Sequence, residues 1–226
     1  MKFALIHNST GTVAEQHIAF ARTLAEQTNR EFLLMPEEED AELEDWCEAN
    51  SVDMLFISCR NSRHEVQHWL NRCRNLRLPY VFLTDTMLHL RPLGTILAPV
   101  SMLEEEVHKA ETLTHLMRYT QAKTVLLHAH DYGSRAQQNV NRIQTSLRQF
   151  GFEAEVEEAK KDSFSLNREA CLRQNEWQTD MLVITASRDY GLDDLFFGPQ
   201  ERHVIRRSAC PVLLLNPRGD LFSLCD

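Results

Sequence analysis

Two stretches of this chain share one pattern, and that pattern limits the folds open to it. DMLFISCR (53–60) resembles DMLVITASR (180–188). Each is followed by a basic amphipathic stretch and then a proline-led apolar run, PYVFL from Pro79 and PVLLL from Pro211. Asp53 and Pro79 are 26 positions apart and Asp180 and Pro211 are 31, so the first copy is five residues shorter. A strand, a helix and a second strand recur in both, and internal self-similarity of this kind is read before fold.

The remaining periodicities extend the same alternation. In the first half, strands are predicted at 3–7, 31–36, 53–58 and 80–83, with helices near 12–28, 40–50 and 63–75. In the second, strands are predicted at 95–100, 123–129, 152–157, 180–185 and 211–215, with helices near 103–119, 135–149, 164–176 and 198–208. Val140, Ile143, Leu147 and Phe150 fall at helical spacing, and Gly151 stands where that helix would stop. Strands alternating with helices imply parallel pairing through right-handed crossovers. The fold class is therefore α/β, with two doubly wound parallel-sheet units. The expected boundaries are 1–86 for a shortened first unit, 87–93 for a linker, 94–217 for a complete second unit and 218–226 for a tail.

Both proline-led runs would be final strands, with proline at the strand start where its missing N–H costs least. Exposed apolar edges are normally covered or paired. Strands 80–83 and 211–215 are therefore expected to pair antiparallel with each other, joining the two units inside one chain.

Composition narrows the function. The 226 residues carry a formal charge of −9, which argues against general nucleic-acid binding, since phosphates reward a basic surface. No apolar run approaches membrane length, and MKFALIHNSTGT is too short in its apolar part for a secretory signal. The six cysteines form no CxxC and read as reduced, mostly buried thiols of a cytoplasmic protein.

ILAPVSMLEEEVHKA, TVLLHAH, DMLVITASRDYGLDDLFFG and VIRRSACPVLLLNP together resemble the universal stress protein family across roughly 94–217. Residues 1–86 look like a shortened copy of the same domain. The resemblance implies a tandem member with strand order 3-2-1-4-5 in the second unit, cytoplasmic and commonly dimeric. It also implies a family divided into members that bind ATP and members that do not.

In an open parallel sheet, ligands sit outside the C-terminal strand ends where strand order reverses. Here that brings the loop after the second unit's first strand (Val100 to Leu103) beside the loop after its fourth (Ala186 to Tyr190). The resemblance places a nucleotide site at Ser101, Ala129, Ala186, Ser187, Arg188, Asp189, Gly198 and Pro199, and this chain departs from the ATP-binding pattern there. The acidic position is Ser101 (Asn8 in the first half), the two loop glycines are Ala186 and Asp189, and Pro199 replaces the final hydroxyl residue. Only Gly198 remains, eight residues rather than nine separate it from Asp189, and a carboxylate there repels phosphates. The expectation is a non-enzymatic binding or adaptor protein with a degenerate nucleotide site, no cofactor and no catalytic residue. The alternative is an ATP-binding member using Ser101, Ser187, Arg188 and Gly198.

HEVQH at 64–68 matches the HExxH pattern of zinc hydrolases. Val66, Trp69, Leu70 and Cys73 define the apolar face of that helix, so His64 and His68 are expected toward solvent, without the cleft and third ligand a catalytic zinc needs. His128 and His130 flank a strand end at the expected crevice and are read as locally hydrogen-bonded. Cys210 is expected to be packed.

Overall fold

The computed structural model describes residues 1–7, 11–35, 42–186 and 200–217. Its strands form one nine-stranded sheet. In the first half the elements are β1 (Lys2–His7), α1 (Thr12–Gln27), β2 (Glu31–Leu34), α2 (Leu43–Ala49), β3 (Val52–Cys59), α3 (Arg63–Cys73) and β4 (Tyr80–Thr84). In the second they are β5 (Thr95–Val100), α4 (Lys109–Thr120), β6 (Lys123–His128), α5 (Arg135–Gln149), β7 (Glu155–Glu158), α6 (Leu166–Arg173), β8 (Met181–Thr185), α7 (Gln200–Arg207) and β9 (Val212–Leu215).

The sheet runs β2-β1-β3-β4-β9-β8-β5-β6-β7. From β7 to β9 this is the order 3-2-1-4-5, all parallel. From β2 to β4 the strands are also parallel, and no described strand lies beyond β2. The halves meet at β4 and β9, which pair antiparallel with Tyr80 opposite Leu214 and Phe82 opposite Val212. Both strands are buried along their whole length. The pairing satisfies edge donors that would otherwise need water or another chain.

Two apolar layers sandwich the sheet. One holds Trp46, Val66, Trp69, Leu70, Ala170, Val204 and Ile205 from α2, α3, α6 and α7. The other holds Phe20, Leu24, Leu113, Leu116, Ile143 and Leu147 from α1, α4 and α5. Gly151, at φ 80°, turns the chain out of α5 in a conformation that side chains resist.

Three elements differ from the sequence reading. The edge strand β7 starts three residues later than 152, because its ladder with β6 begins only at Glu155 opposite Val125. The helix expected from 103 opens as a 3-10 segment, Glu104–His108, before α4. The helix expected over 164–176 ends its α-helical part at Arg173 and tightens into a second 3-10 segment, Gln174–Trp177.

Candidate functional site

The order reverses between β5 and β8, and the C-terminal ends of these strands are where an open parallel sheet places a crevice. β5 pairs with β6 along all six residues, but with β8 only at Ile96 opposite Met181 and Leu97 opposite Leu182. The strands part beyond that point, and Pro99 explains it. The Thr95 carbonyl accepts from Asp180 N on the β8 side, whereas the Val100 carbonyl accepts from Ala129 N on the β6 side. Successive residues of a strand direct their backbone groups alternately, so Pro99 faces β8. It has no N–H to offer, and the ladder stops there.

Its carbonyl is taken instead by the Lys109 ammonium, which also binds Glu106 Oε2. Lys109 is fully buried and Glu106 nearly so. Burial pushes the Lys109 ammonium below its usual range, while the Glu106 carboxylate pulls it back up. Glu106 Oε1 accepts the Ser101 hydroxyl at 2.9 Å, and Ser101 Oγ accepts the Leu103 N–H at 3.3 Å. The same loop is pinned by Asn139 Nδ2, which donates to the Ser101 and Leu103 carbonyls at 2.9 and 2.7 Å. Ser163 Oγ accepts the Met102 N–H at 2.8 Å and binds the Asp131 carboxylate. The polar groups of the β5 loop are thus spent inside the protein (a buried ion pair in the gap, with hydroxyl and amide ties around it).

Of the residues the resemblance placed here, Ser101 is buried at the crevice. Ala129 is buried at the end of β6, and half-buried Ala186 donates its N–H to the Leu215 carbonyl. Ser187, Arg188, Asp189, Gly198 and Pro199 lie outside the described residues, as does Asn8. His128 Nδ1 lies 3.2 Å from the Ala129 carbonyl, and exposed His130 pairs with Glu158 at 2.6 Å.

The first half also holds a buried polar contact at its strand ends. His17 of α1 is buried and hydrogen-bonded through Nδ1 to Ser58 Oγ at the end of β3, 2.7 Å away. Burial lowers its pKa to about 4, against opposing pulls from the Thr84 backbone and the Asp85 carboxylate. The loop after β3 is occupied as well: Asn61 N donates to Asp85 Oδ1, and Asn61 Nδ2 to Thr86 Oγ1 and the Arg206 carbonyl, each at 2.8 Å.

Sequence reasoning missed Glu106, Lys109, Asn139 and His17. The signal was present for two of them. Lys109, Leu113 and Leu116 fall at i, i+4, i+7, and His17, Phe20, Ala21 and Leu24 at i, i+3, i+4, i+7, so both polar residues sit on an apolar helix stripe.

A family model for the universal stress protein family matches residues 103–216. The chain belongs to this family. The match takes in everything from the β5 loop to the end of β9. The fold is similar to that of a universal stress protein from Archaeoglobus fulgidus DSM 4304, at 11% identity and a TM-score of 0.64, over 96% of this chain and 88% of that one. It is also similar to a functionally unknown protein from Pseudomonas aeruginosa PAO1, at 14% identity and a TM-score of 0.56, over 97% and 83% of the two chains. A universal stress protein in complex with cAMP matches 57% of this chain over its own whole length, at 14% identity and a TM-score of 0.46. No curated protein matches the sequence. No helix among the described residues is long and apolar enough to cross a membrane, and none of their side chains form a group fit to hold a metal ion.

Proposed function

We propose that this chain is a tandem universal stress protein that acts in the cytoplasm by binding or as an adaptor, with nucleotide crevices that it fills itself. One observation carries the reading: the buried Lys109 ammonium is bound to the Pro99 carbonyl, on the side of β5 that faces β8, and to Glu106. A phosphate or ribose entering the gap would have to displace a buried ion pair, and separating such a pair leaves a charge without its partner in a dry site. Ser101 supports the same reading, because its hydroxyl is committed to Glu106.

The β4–β9 contact fits an adaptor. It makes inside one chain the kind of strand contact by which two separate domains could dimerise, and it leaves the helix faces as the surfaces open to partners. The order β2-β1-β3-β4 matches β6-β5-β8-β9, with no counterpart of β7 among the described residues, which favours a shortened repeat. Thermal unfolding with ATP or cAMP tests the proposal. No change in melting temperature at 1 mM nucleotide is expected. A rise of several degrees at micromolar ATP would establish the ATP-binding alternative, since a ligand held by the folded state alone stabilises it by mass action.

A further inference from the structure

The short first half leaves one edge of the sheet open. β2 and β6 hold equivalent places beside β1 and β5, but β6 pairs on its far side with β7, and no described strand pairs with the far side of β2. Leu126 and Leu127 of β6 are fully buried, whereas Phe32 and Leu33 of β2 are half-buried and Leu34 is 45% exposed. Met35 N donates to the Leu5 carbonyl, so residues 31, 33 and 35 turn their backbone groups toward β1. By alternation Phe32 and Leu34 turn theirs outward. Among the described residues, neither N–H and neither carbonyl of that pair has a partner.

The two ends of the sheet are not alike. β7, at the opposite edge, reads EVEE, and the charges of Glu155, Glu157 and Glu158 discourage pairing with another chain. β2 reads EFLL and lacks that defence. Its one carboxylate, on Glu31, lies 3.7 Å from the Lys2 ammonium, and the Arg22 guanidinium covers the Phe32 ring at 5.4 Å from its centroid. Phe32 packs with the apolar layer under α1, and Leu33 with the layer on the other face. Leu34 shares the face of Phe32 by alternation and stands largely in water. An undefended edge with apolar side chains on both faces is a template for one more strand.

We propose that β2 pairs antiparallel with β2 of a second copy of this chain, about a two-fold axis at Leu33. In that register Phe32 stands opposite the Leu34 of the second copy, and Leu34 opposite its Phe32. Both are hydrogen-bonded pairs that exchange two N–H···O bonds each, so every outward donor and acceptor of the two edges is used. The side chains agree with the backbone. Each Phe32 ring meets a Leu34 on the α1 face, and Leu33 meets its own copy on the other. Glu31 falls opposite a methionine, Met35, so no like charges oppose. Pairing β2 with the β7 of another copy would instead set three glutamates along the join and leave an edge free for further growth. The β2 pairing is isologous and closes at two copies. It is separate from the β4–β9 join and does not depend on whether either crevice takes a nucleotide.

Sedimentation equilibrium of the full chain tests the pairing, and a species of twice the chain mass that dissociates on dilution is expected. Leu34→Pro removes one outward N–H from each copy, at an edge position where proline is tolerated. It is expected to weaken the dimer about tenfold or more, the effect of losing two hydrogen bonds at one interface. Leu34→Lys sets a charge at an exposed position of the join and is expected to do the same without disturbing the fold. Leu172→Lys, equally exposed on α6, is expected to leave the dimer as it is. Cross-linking then reads the register. In a Cys225→Ser background, Leu33→Cys treated with diamide is expected to form a disulfide-linked dimer, because a non-hydrogen-bonded antiparallel pair holds its Cα atoms about 4.5 Å apart. Glu31→Cys in the same background is expected to remain unlinked, since its two copies would lie more than about 13 Å apart along the strands. A single-chain mass at every concentration, a dimer that keeps its affinity in both Leu34 variants, or a cross-link at Glu31→Cys but not at Leu33→Cys would overturn the proposal.

Discussion

Replacing Lys109 by methionine removes the cation that fills the β5–β8 gap and changes little else in shape. Lys109 is fully buried and Glu106 is 5% exposed, so the carboxylate left behind cannot turn to water. Its remaining described partner is the Ser101 hydroxyl at 2.9 Å, and the Pro99 carbonyl loses the donor that replaced a ladder bond. Breaking a buried pair from one side costs about 3–5 kcal/mol, because an uncompensated charge stays inside. Lys109→Met is therefore expected to lose about that much in urea unfolding at pH 7, read from the midpoint at unchanged slope. Adding Glu106→Gln removes the buried charge while leaving an acceptor for Ser101. The double variant is thus expected to recover more than about 1 kcal/mol of the loss, a coupling typical of residues in contact. A single variant costing under about 1 kcal/mol, or a double variant that is strictly additive, would refute the picture of a buried ion pair closing the crevice.

Other consequences can be measured on the same protein. His17 has a folded pKa of about 4 against about 6.5 for a free imidazole. Between those values the unfolded chain binds the proton and the folded one does not, so stability falls as pH drops from about 6.5 to about 4. The full loss is about 3 kcal/mol, and His17→Gln is expected to remove that slope from urea unfolding measured across the window. Leu213→Ala, opposite Val81 in the strand pair joining the halves, is expected to cost about 2–5 kcal/mol in the same assay. Burial raises the thiol pKa of Cys47 and Cys210 to about 12 and of Cys171 to about 11, and pushes those of Cys59 and Cys73 up as well. These five are expected to resist a thiol reagent at pH 8 until the protein is unfolded, because the thiolate is the reactive form.

Much of the fold could be read from the sequence because it rests on repeating patterns. The proline-led runs marked β4 and β9, and the paired DML stretches marked β3 and β8, since apolar strands covered on both faces leave a continuous signal. His64 and His68 were placed correctly toward solvent by the stripe of Val66, Trp69, Leu70 and Cys73. The crevice was less legible. Ser101 marked the place, but the group that fills it comes from Lys109, eight residues on, and a lysine in sequence looks like a surface residue. Only its position on the stripe with Leu113 and Leu116 shows that it points inward. Pro99 did not hide β5, which was expected at 95–100, although a proline inside an apolar run by itself argues for an edge strand. Here it sits in a central strand and faces the one side where the ladder is already ending.

By the reading proposed above, Lys109 and Glu106 close the second half's crevice to nucleotides. Native mass spectrometry of the full chain, purified gently without added nucleotide, tests it most directly. The mass of the polypeptide alone is expected. A stoichiometric excess equal to an adenine nucleotide, lost on denaturation, would contradict it.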